Sequence, residues 1–345
     1  MADRIRVTAP GGDYDIHISS GLLGNLSQYL PTGKVVVITN TTLSPLYGEK
    51  LIRDLPNAAL VCMPDGEQFK TLDTVSKLYI DLVDAGLDRS GSVIALGGGV
   101  VGDTAGFAAA TYMRGVRLIQ IPTSLLSMVD SSVGGKVGVD LPQGKNLVGA
   151  FKQPDCVLID PDVLATLPER EWRCGMGEII KHGLLADESL LNPELWAKDR
   201  AAELVRRAVQ VKVNVVQQDP YERGVRAHLN LGHTFAHAIE RVSNYSWLHG
   251  EAVGVGLVAA ARLSYALGLC DSALAEEVED IVDKVGLPTR LSDLDPEALF
   301  AAMGTDKKWQ AGHSRFVLLC GMCQPEIVED VSKATVIQVL QEMVG

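Results

Sequence analysis

The sequence predicts an α/β amino-terminal domain with a mostly parallel sheet, followed by an all-helical carboxyl-terminal domain. Up to about residue 160, strand-like runs alternate with helical ones, as in a Rossmann-like sheet covered by helices. Beyond about residue 165 the segments have helical spacing, except for a strand-like run at 314–319. We therefore assign residues 1–160 and 161–345 to two domains and expect the active site in the cleft between them.

The composition limits the classes of function. A chain of 345 residues, 47% of them hydrophobic, can bury two ordinary cores. The formal net charge of −12 argues against nucleic-acid binding and against a basic membrane-surface protein. The first residues lack the apolar core of a signal peptide, and no run reaches the roughly 18 apolar residues that a membrane span needs. We expect a cytoplasmic protein with reduced cysteines.

The first strand and loop to suggest a ligand are found near residue 40. The run 34–39 has the pattern of a buried strand, so Asn40 and Thr42 follow at its carboxyl end. Ligands of open α/β sheets bind at that end of the strands, which makes both residues candidates for contact with a nucleotide. A helix N-cap ahead of Pro45 explains the same polar residues equally well.

Two further units repeat the order strand, loop, helix. The strand-like run 59–63 leads through a polar loop into an amphipathic helix at about 71–86. The strand-like run 91–96 precedes a glycine-rich turn at 97–103 and a helix of small residues at 104–110. Glycines permit close backbone approach, and the start of a helix offers N–H groups to phosphate oxygens. The turn matches neither GxGxxG nor the P-loop, so it predicts pyrophosphate binding without naming an enzyme class.

A glycine-rich segment with several cations follows the strand predicted at 117–121. An anion pocket of the kind that sugar phosphates need would be formed by Lys136, Lys145, Asn146 and Lys152, with Arg114 upstream. A plain surface loop is the alternative.

The most distinctive residues are His233 and His237, which are four apart on a predicted helix and should project from one face. His249 and Glu178 would add the nitrogen and oxygen ligands that a catalytic zinc prefers. Spacing alone leaves open which three bind, and two such histidines are as often surface or core residues. Thr234 replaces the general-base glutamate of the HExxH motif, which argues against a peptidase.

Together these residues resemble the 3-dehydroquinate synthase family over nearly the whole chain. The motifs that carry the resemblance are DGEQFK at 65–70, GGGVVGD at 97–103, YMRG at 112–115, the segment 130–146, GEIIKH at 177–182, RAHLNLGHTFAH at 226–237, HGE at 249–251 and DKK at 306–308. Members bind NAD and a divalent metal. By this resemblance Glu178, His233 and His249 hold the metal, zinc or cobalt, and His237 transfers a proton near the substrate.

The resemblance also implies the residues around NAD and the substrate. NAD would be contacted along the carboxyl edge of the sheet by Asn40, Thr42, Asp65, Gly66, Glu67, Gln68, Phe69, Lys70, Gly99, Val100, Val101, Gly102, Asp103, Thr123, Ser124, Lys136 and Lys145. The substrate would be contacted by Asp130, Lys136, Asn146, Lys181, Lys212, Arg226, Asn230, His237, Lys307, Lys308 and, from a partner subunit, Arg114. Cations suit the carboxylate and phosphate of a sugar acid phosphate.

The function that the resemblance implies is conversion of 3-deoxy-D-arabino-heptulosonate 7-phosphate (DAHP) into 3-dehydroquinate and phosphate, in the shikimate pathway to aromatic amino acids. The implied route is transient oxidation by NAD, phosphate elimination, re-reduction and intramolecular aldol closure, with no net redox change. A homodimer is implied as well. The alternatives are another sugar phosphate cyclase, a zinc-dependent polyol dehydrogenase of the glycerol dehydrogenase type, and a catalytically silent binding protein.

Overall fold

The first part of the chain builds a seven-stranded sheet and a separate hairpin. The computed structural model describes residues 3–55, 57–304 and 314–344. The strands up to residue 160 are β1 (Asp3–Val7), β2 (Tyr14–Ile18), β3 (Val35–Asn40), β4 (Ala58–Met63), β5 (Ser92–Gly97), β6 (Arg117–Pro122), β7 (Lys136–Leu141), β8 (Gly144–Phe151) and β9 (Cys156–Ile159). The sheet order is β1-β2-β9-β6-β5-β3-β4, and β1–β2 is its antiparallel pair. The other neighbours pair in parallel, which confirms the predicted mostly parallel sheet.

Helices and short 3₁₀ or π turns connect the strands and form most of the second half. The α-helices are α1 (Glu49–Arg53), α2 (Leu72–Asp84), α3 (Gly99–Thr111), α4 (Glu169–Ala186), α5 (Ala201–Gln218), α6 (His233–Val242), α7 (His249–Ala266), α8 (Ser272–Val285), α9 (Pro296–Met303) and α10 (Lys333–Glu342). A second hairpin, β10 (Arg315–Gly321) with β11 (Gln324–Glu329), interrupts the helices. The sequence pattern anticipates β10 but not β11.

The central strands form because their sequences are apolar on both faces. All six residues of β3 are buried, as are all six of β5, which is what a strand covered by helices on both sides requires. On α2, Val75, Leu78 and Leu82 recur at helical spacing and pack into the core on one side of the sheet. The helix begins where the Thr71 side chain accepts the N–H of Thr74.

Two local predictions differ from the structure. Helix α3 begins at Gly99 rather than at 104, so most of the expected turn at 97–103 is helical. From residue 136 onward, the glycine-rich segment that ends at Asn146, for which a surface loop is one alternative, is part of the β7–β8 hairpin. A Cβ at Gly138 would lie 2.6 Å from the carbonyl oxygen of Val148, and one at Gly149 would lie 2.5 Å from that of Val137. These glycines therefore allow two strands to approach closely.

The chain divides into two compact units, and the division is discontinuous. The first unit comprises Met1–Leu167 and Ala201–Pro220, and the second comprises Pro168–Arg200 and Tyr221–Gly345. The first crossing is close to the boundary expected at 160. Helix α5, however, which the sequence assigns to the second domain, belongs to the first unit, where it contacts β1 and the turns at 127–131 and 161–166. Its periodicity predicts a helix but cannot say which unit buries its apolar face.

The second unit is organised around α7. This helix is apolar on nearly all sides and is buried from Ala252 to Ala261, as expected of a central helix. It contacts α4, α6, α8 and α10 and the strand β10. Within the described residues, no helix combines the length and the apolar character needed to cross a membrane. All six cysteines are free thiols.

Candidate active site and metal centre

The predicted nucleotide-binding residues are brought together by the order of the strands. Strands β4, β3, β5 and β6 are consecutive neighbours in the sheet, and the pairings between them are parallel. Their carboxyl ends therefore meet at one edge, where the segments 64–70, 40–42, 97–103 and 123–124 follow them. This edge is the position at which open α/β sheets bind ligands.

Asp65 links the ends of β3 and β4. Its carboxylate accepts hydrogen bonds from Asn40 Nδ2 at 2.7 Å and from Thr42 Oγ1 at 2.6 Å. Asn40 Oδ1 in turn accepts the N–H of Leu43 at 2.8 Å, so the local capping role considered for this asparagine is present. Contact of Asn40, Thr42 and Asp65 with a nucleotide stays a prediction.

Lys70 is the centre of a buried polar network at the same edge. Its ammonium group donates to Asp103 Oδ2 at 2.6 Å and to Asn146 Oδ1 at 2.7 Å. Asp140 joins the β7–β8 hairpin to this network, because its N–H donates to Lys70 O at 2.8 Å and its Oδ1 accepts the N–H of Asn146 at 2.7 Å. Burial lowers the pKa of Lys70, but Asp103 and Glu67 raise it above its ordinary value, so the lysine is charged. Asn146, a predicted substrate-binding residue, thus contacts Lys70, a predicted NAD-binding residue.

The amino terminus of α3 and the 64–70 segment complete this edge. Gly99, Val100, Val101, Gly102 and Asp103 form the first turns of α3, whose leading N–H groups can bind an anion. In the neighbouring segment, the remaining predicted residues are Gly66, Glu67, Gln68 and Phe69, and Lys145 Nζ lies 3.6 Å from Glu67 Oε1. Thr123 is bonded through its N–H to Gly97 O at 3.0 Å, and the Ser124 hydroxyl to Ser127 Oγ at 2.9 Å.

The predicted substrate cations of the first unit have different surroundings. Lys212 on α5 forms an ion pair with Asp130, so two residues 82 positions apart in sequence meet. Lys136 is exposed at the start of β7. Arg114 is also exposed, in a turn where Met113 has a φ of 49° and Arg114 a φ of 65°. Such left-handed backbone is unusual for non-glycine residues and merits a functional explanation.

The second unit brings together the donor atoms of Glu178, His233 and His249, which all lie within 4.8 Å of one another. Glu178 Oε1 is 3.3 Å from His233 Nε2 and 3.2 Å from His249 Nε2. Ligands of a tetrahedral zinc, with bonds of about 2.0–2.1 Å, lie roughly 3.3 Å apart. The donor set therefore fits a divalent ion such as Zn²⁺ or Co²⁺. His237 is exposed, and its ring centroid lies 5.6 Å from that of His233 and 6.4 Å from that of His249.

Hydrogen bonds orient both histidines of this cluster. Nδ1 of His233 is 3.1 Å from Leu231 O, which favours the tautomer that leaves Nε2 able to bind a metal. Nδ1 of His249 is 3.5 Å from Glu240 Oε1. Lys181 forms an ion pair with Glu178.

The protonation states follow from burial and from these neighbours. Burial and the Lys181 charge lower the pKa of His233 to about 4, so it is neutral, as a metal ligand must be. Burial also lowers the pKa of His249, but the carboxylates of Glu178 and Glu240 raise it to about 10. Although burial opposes ionisation of Glu178, Lys181 and His233 hold its pKa well below the usual range.

Each ligand of the cluster lies next to a glycine at a close helix contact. A Cβ at Gly177, beside Glu178, would lie 3.0 Å from Gly250 O, and one at Gly250, beside His249, would lie 2.2 Å from Cys174 O. Helices α4 and α7 thus cross backbone to backbone where their ligands meet. Gly232 precedes His233 with a φ of 75°, and a Cβ there would lie 2.8 Å from the N atom of Leu257 on α7. These contacts explain how three separate helices bring the side chains of Glu178, His233 and His249 close enough together to hold one ion.

Glu251, the third residue of the HGE motif, stabilises the start of α7. Its carboxylate accepts hydrogen bonds from Arg170 Nε at 2.7 Å and Nη2 at 2.8 Å, and from the N–H of Leu248 at 2.9 Å. A carboxylate at a helix amino terminus is also favoured by the helix dipole. The motif therefore supplies one predicted metal ligand, one close helix contact and one helix cap.

The other predicted substrate residues of the second unit are Lys181, Arg226 and Asn230, of which Lys181 and Arg226 are buried. Asn230 Nδ2 donates to Glu222 Oε1 at 2.8 Å. Glu222 is not among the predicted site residues, and its left-handed backbone, with a φ of 57°, is the signal that singles it out in the structure.

Two predicted residues and one missed residue remain. Lys307 and Lys308 lie outside the described residues. Glu240 is the missed residue, and its place seven residues after His233 and three after His237 could have indicated a shared helix face.

Comparison with known proteins decides the family. A 3-dehydroquinate synthase amino-terminal model matches residues 60–174, and the corresponding carboxyl-terminal model matches residues 175–309. The chain belongs to the 3-dehydroquinate synthase family. A member from Nostoc punctiforme is 43% identical, with 99% of this chain and 100% of the relative aligned. One from Bordetella pertussis is 44% identical, with 96% of each aligned.

Solved structures of sugar phosphate cyclases have the same fold. A 2-epi-5-epi-valiolone synthase from Streptomyces hygroscopicus, with NAD⁺ and Zn²⁺ bound, is 30% identical with a TM-score of 0.90 over 98% of this chain and 99% of its own. A 2-deoxy-scyllo-inosose synthase, complexed with carbaglucose-6-phosphate, NAD⁺ and Co²⁺, is 25% identical. Its TM-score is 0.91, with 99% of this chain and 100% of its own chain covered. A probable glycerol dehydrogenase from Sinorhizobium meliloti shares the fold at 18% identity and a TM-score of 0.63, with 94% of each chain covered.

Proposed function

We propose that this chain converts DAHP into 3-dehydroquinate and phosphate, using NAD and a divalent metal, zinc or cobalt. The observation that carries the proposal is the cluster of Glu178, His233 and His249 in a chain that belongs to this family. When bound, the metal would polarise substrate hydroxyls, and NAD would accept a hydride and return it. The two sugar phosphate cyclases described above were solved with NAD⁺ and one of these metals, which supports both cofactors.

The sheet edge of the first unit has the features that NAD binding needs. The amino terminus of α3 can donate N–H groups to the pyrophosphate. Asp65 and Glu67 are carboxylates in the loop after β4, where an acidic residue can accept hydrogen bonds from ribose hydroxyls and would repel the extra phosphate of NADP. Lys70 holds Asp103 and Asn146 in fixed positions beside this loop.

The substrate would be held mainly by cations, with His237 as the proton-transfer group. Arg226 can bind a carboxylate with two parallel hydrogen bonds, and Lys181 can stabilise negative charge beside the metal ligands. The ion pair with Asp130 fixes the position of the Lys212 ammonium group. The exposed ring of His237 lies beside His233, which suits transfer of a proton to or from a molecule bound at the metal.

The direct test separates a cyclase from a polyol dehydrogenase of the same fold. We expect purified enzyme with DAHP, NAD and Zn²⁺ to release one equivalent of phosphate per DAHP with no net rise in absorbance from NADH. Accumulation of free NADH in proportion to turnover would contradict the proposal and favour the dehydrogenase. Full phosphate release after removal of metal by chelation would contradict the catalytic role of the metal.

The carboxylate of DAHP separates this activity from those of other sugar phosphate cyclases. We expect turnover of DAHP and none of sedoheptulose 7-phosphate, which lacks the carboxylate. Arg226→Lys keeps a charge but loses the planar fork, so we expect KM for DAHP to rise about tenfold, in line with one charged hydrogen bond, while metal and NAD affinity stay unchanged. An unchanged KM would remove Arg226 from the substrate site.

We further propose that the protein acts in the cytoplasm as a homodimer in which Arg114 reaches the partner's substrate. The exposed left-handed turn at Arg114 supports this assignment. Co-expression of Arg114→Ala with His233→Ala tests it, because only a mixed dimer unites an intact metal site with an intact arginine from the other chain. We expect the mixture to regain activity that neither variant has alone, and no recovery would contradict contribution from a partner.

A further inference from the structure

Glu240 lies behind the metal cluster and belongs to none of the roles described above. It is on α6, where His233, His237 and Glu240 are separated by four and three residues and so share one face of the helix. Its side chain is 3% exposed, and its Oε1 is 3.5 Å from Nδ1 of His249. Burial of a carboxylate is unfavourable unless the charge is paired.

The two histidines of the cluster differ in how much they are confined. The His233 side chain is 10% exposed, and a backbone carbonyl, Leu231 O, faces its Nδ1. The His249 side chain is 31% exposed and is the first residue of α7, so packing restrains its ring less. A hydrogen bond is therefore needed to fix its rotation and its tautomer. Glu240 is positioned to make this bond, because its carboxylate faces the ring nitrogen on the side opposite Glu178.

We infer that Glu240 is a positioning residue, because it orients His249 for metal binding. Its carboxylate accepts a hydrogen bond from the Nδ1–H of His249 and thereby directs the Nε2 lone pair toward the other donor atoms of the cluster. Carboxylates in this relation to a metal-binding histidine fix the ring and make it a stronger ligand, and their loss typically lowers metal affinity about 10–100-fold. This inference rests on the proposed metal site but not on the identity of the substrate. It assigns the α6 face two functions, since His237 would transfer protons and Glu240 would hold a ligand.

The test measures metal binding to chelator-treated protein, without turnover. Dissociation constants for Zn²⁺ and Co²⁺ would be obtained by competition with a chromophoric chelator, and the visible spectrum of the Co²⁺ form would report ligand geometry. Glutamine can still accept the Nδ1 proton but lacks the charge, so we expect Glu240→Gln to weaken binding about tenfold and Glu240→Ala about 100-fold. The Co²⁺ spectrum should change most in Glu240→Ala.

Glu279→Gln is the matched control. Glu279 is a carboxylate of the same unit, and in the described part of the chain it forms ion pairs with Arg262 and Arg290 rather than with a predicted metal ligand. We expect this control to lower Tm while leaving both dissociation constants within twofold of wild type. Equal affinities and identical Co²⁺ spectra for wild type and both Glu240 variants would overturn the inference, and Glu240→Gln alone would decide it if Glu240→Ala did not fold. A wild-type protein that bound neither ion would overturn the metal site itself.

Discussion

The two units hold their predicted site residues in place by different kinds of contact. At the sheet edge of the first unit, polar side chains hold one another across strand ends, as Asp65 does with Asn40 and Thr42, and several of these groups are exposed. In the second unit the predicted metal ligands are held by backbone contacts between helices at Gly177 and Gly250. The edge can therefore adjust to the loss of a single hydrogen bond, whereas the metal centre tolerates little displacement of a helix.

The largest effect is expected at the α4–α7 crossing. Gly250→Ala would put a Cβ 2.2 Å from Cys174 O, a backbone atom that cannot move away alone, so the helices must separate. We expect loss of bound metal and of activity by at least about 10³-fold, although alanine has the better helix propensity. Gly254→Ala on the same helix is the control, because its Cβ would meet Leu287 Cβ at 3.1 Å and needs only a small shift. Stoichiometric metal in Gly250→Ala, measured by elemental analysis, would contradict the comparison.

The next effect separates two histidines that the spacing treats as equivalent. His233→Ala should lose tight metal binding, since its Nε2 lies 3.3 Å from Glu178 Oε1 within the cluster. His237→Ala should keep the metal but slow turnover about 10²–10⁴-fold, the usual range for a general acid or base. Metal analysis and kcat of both variants are the measurements. Metal retained by the first variant and lost by the second would reverse the assignment.

A smaller effect is expected at the sheet edge, on stability rather than chemistry. Lys70→Met leaves the Asp103 carboxylate without its ion pair, in which the side chains are 5% and 18% exposed, and should lower the free energy of unfolding by about 3 kcal/mol. Lys145→Met removes a pair whose members are 28% and 40% exposed, and should lower it by less than about 1 kcal/mol. Chemical denaturation measures the free energy of unfolding of both variants. Equal losses would show that the more buried ion pair contributes no more to stability than the more exposed one.

The last prediction concerns pH rather than a substitution. Because the pKa of His249 is raised to about 10, metal-free protein carries a proton on this ring at neutral pH, and the metal must displace it. His233, with a pKa of about 4, needs no deprotonation in this range. We expect affinity for Zn²⁺ to rise with pH from 6.5 to 9 by about tenfold per unit, which corresponds to one displaced proton. Calorimetric titrations in two buffers would count the protons, and a pH-independent affinity would contradict the assignment.

The sequence predicts those parts of the fold and of the site that depend on the local pattern of residues. Runs such as 34–39 and 91–96 have to be buried strands because they are apolar on both faces, and the order of the strands then collects the polar residues at their ends. The histidine spacing indicates a metal site for the same local reason. The family resemblance adds the choice among ligands that spacing leaves open.

The sequence does not predict what depends on contacts between distant segments. Gly138 lies in a segment for which a surface loop is one alternative, and only the structure shows that it allows two strands to touch. The contact of Glu240 with His249 joins two different helices, α6 and α7, so the sequence of α6 alone does not predict it. The unit to which α5 belongs is decided by its buried neighbours, such as β1, and not by its own periodicity.

The insertion of 168–200 into the first unit has a consequence for synthesis of the protein. Lys212 and Asp130 meet in the folded unit, but a long stretch that belongs to the second unit is translated between them. At roughly 5–20 residues per second, the ribosome needs several seconds to pass from the end of the first segment to the end of α5. During that interval the nascent sheet lacks the helix that covers β1, and the apolar surface of that strand is open to chaperones or to another unfinished chain.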